Sequence, residues 1–228
     1  MKFTADCGPC LMRRVLFQSR LVGNGLEFDA VKAAAEVLGS RMDPEVDSVK
    51  ISSEVHWRAY RAIRSEDPYF ELKCRADAVA EPYERQLEEM VEASDEPLRT
   101  AIMGAVAGNV MDFGSGASID DPDLFSEVYD DIVAQGLGLD DVGRLEDLLD
   151  EVPGVVYMFD NCGESRLDMV LMRLLRGMGK RVVGVVRGAP ILNDVTMEDA
   201  KRVGIDRVAD RLLSTGKFYV GIDWDDVP

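Results

Sequence analysis

The stretch Val155–Asp168, VVYMFDNCGESRLD, decides the fold. An apolar run, Val155–Phe159, stops on Asp160-Asn161; Gly163 follows, and helical spacing begins at Glu164. A second apolar run, Arg181–Val186, comes one helix later and leads into Arg187-Gly-Ala-Pro-Ile-Leu-Asn193-Asp194. Strand Val155–Phe159, helix Glu164–Arg176, strand Arg181–Val186, helix Thr196–Val203 and strand Val208–Leu213 form an alternating series. Such alternation predicts a parallel sheet with right-handed crossovers. Ligands of open α/β sheets bind at the carboxyl ends of strands, and neighbouring strands lie about 4.8 Å apart. Asp160, Asn161 and Asp194 are therefore expected to converge, and oxygen donors of that kind suit a hard divalent cation such as Mg²⁺ or Mn²⁺.

The helix starts carry signals of their own. Ser165-x-x-Asp168 and Thr196-x-x-Asp199 resemble capping boxes with Asp in place of Glu. Helices entered from Asp160 and Asp194 would aim free N–H groups at the loop crest, an anion pocket. Arg187 reads either as a phosphate clamp, or as a solvated residue or the ion-pair partner of a nearby Asp. Glu164 and Asp168 read as supporting or base groups, or as capping residues.

Upstream of Pro153 the pattern is helical. Helices are expected over Leu11–Leu21, Phe28–Leu38 with Gly39 as C-cap, Val49–Ile63, Leu72–Ala93 and Leu98–Ala107, with a break at Asp67-Pro68-Tyr69. Asp121–Ala134 and Asp140–Glu151 read as acidic surface helices. Residues 1–150 are thus expected to form a helical subdomain and residues 151–228 an α/β core. Asn109 and Asp112 sit where an Ala-rich helix opens into a glycine-containing loop. They serve either as cap and turn or as groups facing the pocket across from the sheet.

Composition narrows the function classes. The 228 residues carry a net charge of −17 and are 46% hydrophobic, enough for a packed core. That charge argues against nucleic-acid and anionic-membrane partners, which need basic patches. No stretch approaches the ~18 apolar residues of a membrane span, and no targeting segment is apparent, so a cytoplasmic location is expected. Cys7-Gly-Pro-Cys10 looks like a thioredoxin motif, but only six residues precede it where that layout needs a strand. A zinc or iron site there lacks two further ligands at motif spacing, although Cys74 offers a third. The favoured reading is small residues opening a packed helix.

Other chemistries are disfavoured. A haloacid-dehalogenase arrangement needs a second acid two residues after Asp160, where Cys162 stands. Gly114-Ser-Gly116 follows a helix and lacks the third glycine of a dinucleotide fingerprint. The single histidine, His56, lies beside Trp57 and reads as packed, leaving carboxylates and a metal to carry any reaction.

Five pieces in order resemble one family: Cys7-x-x-Cys10-Leu-x-Arg13, Asp67-Pro-Tyr-x-x-x-Lys73, Ala107-Gly-Asn109-x-x-Asp112-Phe-Gly, Asp160-Asn161-x-Gly163-Glu164-x-x-x-Asp168, and Val186-Arg187-Gly-Ala-Pro-x-x-Asn193-Asp194-x-Thr196-x-x-Asp199. The chain resembles the damage-control phosphatases (domain of unknown function 89), in particular their small archaeal-type branch. The resemblance implies a helical array packed on a Rossmann-like three-layer α/β/α core with a mostly parallel sheet. It implies a phosphatase of small phosphorylated metabolites supported by Mn²⁺, Mg²⁺, Co²⁺ or Ni²⁺. Asp160, Asn161 and Asp194 are then the metal ligands, Asn109 and Arg187 the substrate contacts, with Asp112, Glu164 and Asp168 nearby. The family's Lys-Gly-x-x-Asn segment after Ser214-Thr215-Gly216 has no counterpart here; Lys217 is the lysine nearest that point. A weakened catalyst, or a homodimer that completes the site and covers a sheet edge, is the corresponding expectation.

The reading is a metal-dependent phosphomonoester hydrolase with Asp160 as its central group, whether nucleophile, base or ligand, and Asp194 as the second catalytic candidate. Its rivals are a non-catalytic metal- or metabolite-binding protein and, less favoured, an S-adenosylmethionine-dependent methyltransferase.

Overall fold

A computed structural model describes residues 1–116 and 118–226. Ala117, Val227 and Pro228, the last two closing the expected α/β unit, lie outside the described residues.

Three helices come first: α1 (Cys7–Val22), α2 (Glu27–Arg41) and α3 (Ser48–Ala62). They bury one core of Phe3, Leu11, Val15, Ala30, Ala34, Val37, Leu38, Ile51, Val55, Ala59 and Ile63. Next come α4 (Phe70–Ala93), α5 (Pro97–Gly108), α6 (Phe125–Gln135) and α7 (Val142–Glu151). Gly104 lets α5 close on α4: a Cβ there would lie 2.1 Å from a Leu87 methyl.

The alternating series then forms as read, with β1 (Gly154–Met158), α8 (Glu164–Gly177), β2 (Arg181–Val186), α9 (Met197–Val203), α10 (Ile205–Val208) and β3 (Arg211–Ser214). The sheet is parallel in order β1-β2-β3, with Val155 opposite Val182 and Val185 opposite Leu213. Val182, Gly184 and Val186 alternate inward into a second core shared by the sheet, α4, α5 and α8. The other sheet face is open, with Val156 67% and Met158 53% exposed. It is flanked by Ile222 and Trp224. Among the described residues no helix is long and apolar enough to cross a membrane.

The mixed α/β class with a parallel sheet holds, and several boundaries move. Helix α1 begins at Cys7, so the cysteines form its first turn. Gly39 lies inside α2, which runs on to Arg41 and stops at extended Met42. Asp121 caps a 3₁₀ turn, Pro122–Leu124, rather than the helix itself. The following α6 is more than an acidic surface helix, because Phe125 and Tyr129 are buried against Tyr83. Val208 ends the short α10 instead of opening a strand; Gly204, at φ 92°, breaks the helix and lets it restart.

Candidate active site

The two strand-end loops are stitched together by backbone bonds. Cys162 N–H donates to Asn193 O (2.8 Å), Val195 N–H to Asp160 O (2.7 Å), and Arg187 N–H to Val195 O (2.8 Å). Asn161 and Asp194 thereby form an antiparallel bridge. The turn into α8 requires glycine at 163: φ is 86°, and a Cβ would meet Met111 Sδ at 2.3 Å.

Asp160, Asn161 and Asp194 converge as expected on one cavity of about 600 Å³, also lined by Arg187, Asp112, Arg14, His56, Cys7 and Cys10. At its floor one guanidinium holds both acids, with Arg187 Nε 2.5 Å from Asp194 Oδ2 and Nη2 3.3 Å from Asp160 Oδ1. The Asp160 side chain is 52% exposed and the Asp194 side chain 7%. Burial pushes the Asp194 carboxyl up to about 7, against the pull of Arg187 and with the added push of Asp160. Across the floor, Arg14 Nη2 holds both oxygens of Asp112 at 2.9 and 2.8 Å. Burial nevertheless leaves Asp112 above its ordinary range.

Glu164 and Asn109 stand just behind. Asn161 Nδ2 donates to Glu164 Oε2 at 2.8 Å, and Asn109 Nδ2 lies 3.2 and 3.3 Å from the two Glu164 oxygens. Burial raises Glu164 to about 7, the Asn161 bond working against it and the Asp160 charge with it. Asp168 is farther back, buried, and accepts the Tyr157 hydroxyl at 2.6 Å. It therefore does not form a capping box with Ser165, and Gly163 occupies the N-cap of α8. Neither Asn109, Glu164 nor Asp168 lines the cavity.

The expected pocket of free helix N–H groups is largely filled by the protein itself. Thr196 and Asp199 form a complete capping box on α9. Before α8, Asn161 N–H donates to Glu164 and Gly163 N–H to Asp77 Oδ1 at 2.8 Å. Positive charge at the cavity comes instead from Arg187 and Arg14. Lys217 does not line it; its ammonium is held by Asp223 (2.8 Å) and Asp226 (2.7 Å).

A buried ionic chain fixes both loops to α4. Lys73, fully buried, donates to Asp67 at 2.8 Å and to Asp199 at 3.0 Å. Burial works against its charge, yet the surrounding acids hold its pKa above the ordinary value. Arg202 joins Asp199 (2.7 Å) to Asp77 (2.9 Å), and Asp77 reaches Gly163 beside the first loop. Sequence reasoning gave Lys73, Asp77 and Arg14 no role at the site. Their signal is faint: Arg14 follows Cys7, Cys10 and Leu11 at helical spacing, which puts all four on one face of α1.

The donors converging here fit a hard cation. No three of His, Cys, Asp and Glu cluster closely enough to ligate one among the described residues, and the candidate donors are the two carboxylates and the Asn161 amide. Asn161 commits its nitrogen to Glu164, which leaves its oxygen as the atom to offer.

An α/β fold with paired acids at adjacent parallel strand ends, facing a helical wall, is the class that this architecture defines. Residues 3–228 match the model of the damage-control phosphatase ARMT1-like domain, and the chain belongs to that family. It is 33% identical over 230 residues to a damage-control phosphatase of Archaeoglobus fulgidus, covering all of this chain and 79% of that protein. It is 26% identical to a damage-control phosphatase of Pyrococcus horikoshii, covering 97% and 76% respectively. A crystal structure of a DUF89 family protein from Pyrococcus horikoshii superposes with a TM-score of 0.83 at 22% identity, covering all of this chain and 79% of that one.

Proposed function

We propose that this chain hydrolyses phosphomonoesters of small metabolites with the help of a divalent cation held by Asp160, Asn161 and Asp194. The observation that carries the reading is the single guanidinium gripping two carboxylates at the floor of a small-molecule-sized cavity. The names of the relatives support the phosphatase class. When bound, Mn²⁺, Mg²⁺, Co²⁺ or Ni²⁺ supplies Lewis acidity toward a phosphoryl oxygen and activates the attacking group. Asp160, half exposed, is the carboxylate open to an entering ester. Asp194 is buried and holds Arg187, whose planar fork suits a phosphoryl group. Arg14, steadied by Asp112, adds positive charge at the facing wall. Asn109 and Glu164 act on the substrate through Asn161, which they orient. Four free cysteines accord with a reducing cytoplasm. The proposal includes a homodimer, since β1 and β3 each pair on one edge only among the described residues. Light scattering at twice 25.2 kDa is its check.

The test is hydrolysis of para-nitrophenyl phosphate by metal-stripped protein, with each of the four ions added back, alongside Asp160→Ala and Asp194→Ala. Turnover that requires metal and is lost in both variants is the expected result. Metal that raises the melting temperature of the wild type but not of the variants, without turnover, would overturn the catalysis and leave a binding protein. Stabilisation by S-adenosylmethionine but by no metal would overturn both.

A further inference from the structure

Cys7 and Cys10 have no part in the chemistry above, yet both line the same cavity as Asp160, Arg187 and Asp194. They occupy the first turn of α1 three residues apart. Helix geometry places such Cα atoms roughly 5 Å apart, inside the range that a disulfide spans. Both thiols are free; Cys10 is exposed and Cys7 half-buried. The Cys7 sulfur lies 3.4 Å from both the amide and the hydroxyl of Thr4, which hold it at the cavity wall. The other two cysteines are differently placed. Cys162 is buried, and Cys74, on α4, does not line the cavity.

We propose that Cys7 and Cys10 form a thiol–disulfide exchange site set in the wall of the active-site cavity, that it reacts with small organic disulfides, and that its oxidised form restricts the cavity. The reading needs no thioredoxin fold, only a vicinal pair with one accessible sulfur. The Cys10 thiolate attacks one sulfur of a small disulfide, RSSR. The S–S bond breaks, one thiolate leaves and takes up a proton, and a mixed disulfide remains on Cys10. The Cys7 thiolate then attacks the Cys10 sulfur and expels the second thiolate, which is protonated in turn. Two protein thiols and RSSR become one protein disulfide and two RSH; the protein loses two electrons and RSSR gains them. Access orders the steps, because Cys10 is exposed and Cys7 half-buried. Closing the bond draws the Cys7 sulfur off Thr4. It also changes the helix face that continues through Leu11 to Arg14, opposite the acids.

The test treats the reduced full-length chain with glutathione disulfide, quenches it with iodoacetamide and reads each cysteine-containing peptide by mass. The expected result is loss of two hydrogen atoms from the peptide holding Cys7 and Cys10, with Cys74 and Cys162 still alkylated. Cys7→Ser should instead retain glutathione on Cys10. Glutathione persisting on Cys10 of the wild type, or modification of Cys74 ahead of Cys10, would overturn the exchange site. The restriction is read as a rise in KM for para-nitrophenyl phosphate on oxidation, reversed by dithiothreitol and absent in Cys10→Ser. An unchanged KM in fully oxidised protein would overturn that part. Because exchange is read by mass, it stands or falls independently of the phosphatase reading.

Discussion

The helices α1–α3 and the body built from α4–α10 and the sheet meet at one cavity and bring opposite halves of it. The body contributes acids and an amide on two short strand-end loops, stitched by backbone bonds and anchored through buried ion pairs. The three helices contribute a wall of side chains (Arg14, His56, Cys7 and Cys10) projecting from regular helix faces. The difference shows two ways of making a site. On the body, local chain geometry fixes the groups, and a one-residue slip in either loop would scatter them. On the helical side the crossing of helices places them, and side-chain bonds such as Arg14 to Asp112 and His56 to Gln18 hold them. Under the proposed function, chemistry falls to the first side and selectivity to the second.

The comparison is most exposed to attack at Asp160. Asp160→Ala should lower kcat on para-nitrophenyl phosphate by on the order of a thousand-fold while leaving the melting temperature nearly unchanged, since the side chain is half exposed. A variant of the facing wall, Arg14→Met, should act chiefly on KM. Equal kcat losses from the two would erase the division between chemistry and selectivity.

The anchoring of the body is tested by Lys73→Met. Removing a fully buried ammonium leaves Asp67 and Asp199 without their shared cation and should cost about 3–5 kcal/mol in urea denaturation. The exposed pair of Arg75 with Asp121, broken by Arg75→Ala, should cost at most about 1 kcal/mol. Next in size are the two cores. Leu167→Ala in the body and Ile51→Ala in α3 should each cost about 2–5 kcal/mol. Both should shift a single unfolding transition in calorimetry; two separated transitions would show that α1–α3 melt alone.

The dependence of stability on pH carries opposite signs on the two sides. Burial, aided by Arg14, lowers His56 from its ordinary 6.5 to about 3. Its stabilising contribution is full above pH 6.5 and is lost as pH falls toward 3. Burial raises Asp168 well above the carboxylate range, so the folded state keeps a proton that the unfolded chain releases near pH 4. That contribution is full below about pH 4 and is lost as pH rises. From pH 4 to 6.5 the two slopes oppose each other, so in urea denaturation His56→Gln should make stability fall as pH rises through that window and Asp168→Asn should make it rise, each by on the order of 1 kcal/mol per pH unit relative to wild type. Parallel curves for wild type and both variants would sink the assignment.

Legibility followed the same divide. The alternation from Val155 to Leu213 is a local signal, and it gave the parallel sheet and the meeting of Asp160, Asn161 and Asp194. The Thr196–Asp199 capping box was equally readable, because its partners are three residues apart. Arg14–Asp112 and Lys73–Asp199 join residues 98 and 126 apart, and no periodicity reports such pairs. Ser165-x-x-Asp168 had the right spacing for a cap, but Tyr157 took its carboxylate across the core. Gly39 had the right identity for a helix end, yet α2 ran past it until extended Met42.

The Tyr60 hydroxyl accepts the amide of Leu192 at 2.9 Å, and Leu192 sits at φ 50° two residues before Asp194. That bond makes α3 a lever on the loop that carries Asp194. If the helical lobe swings to admit or release a ligand, the pull is delivered at a residue that already lies off its relaxed backbone conformation. Opening the mouth and slackening the floor then become one mechanical event, with Tyr60 as the pin of the joint.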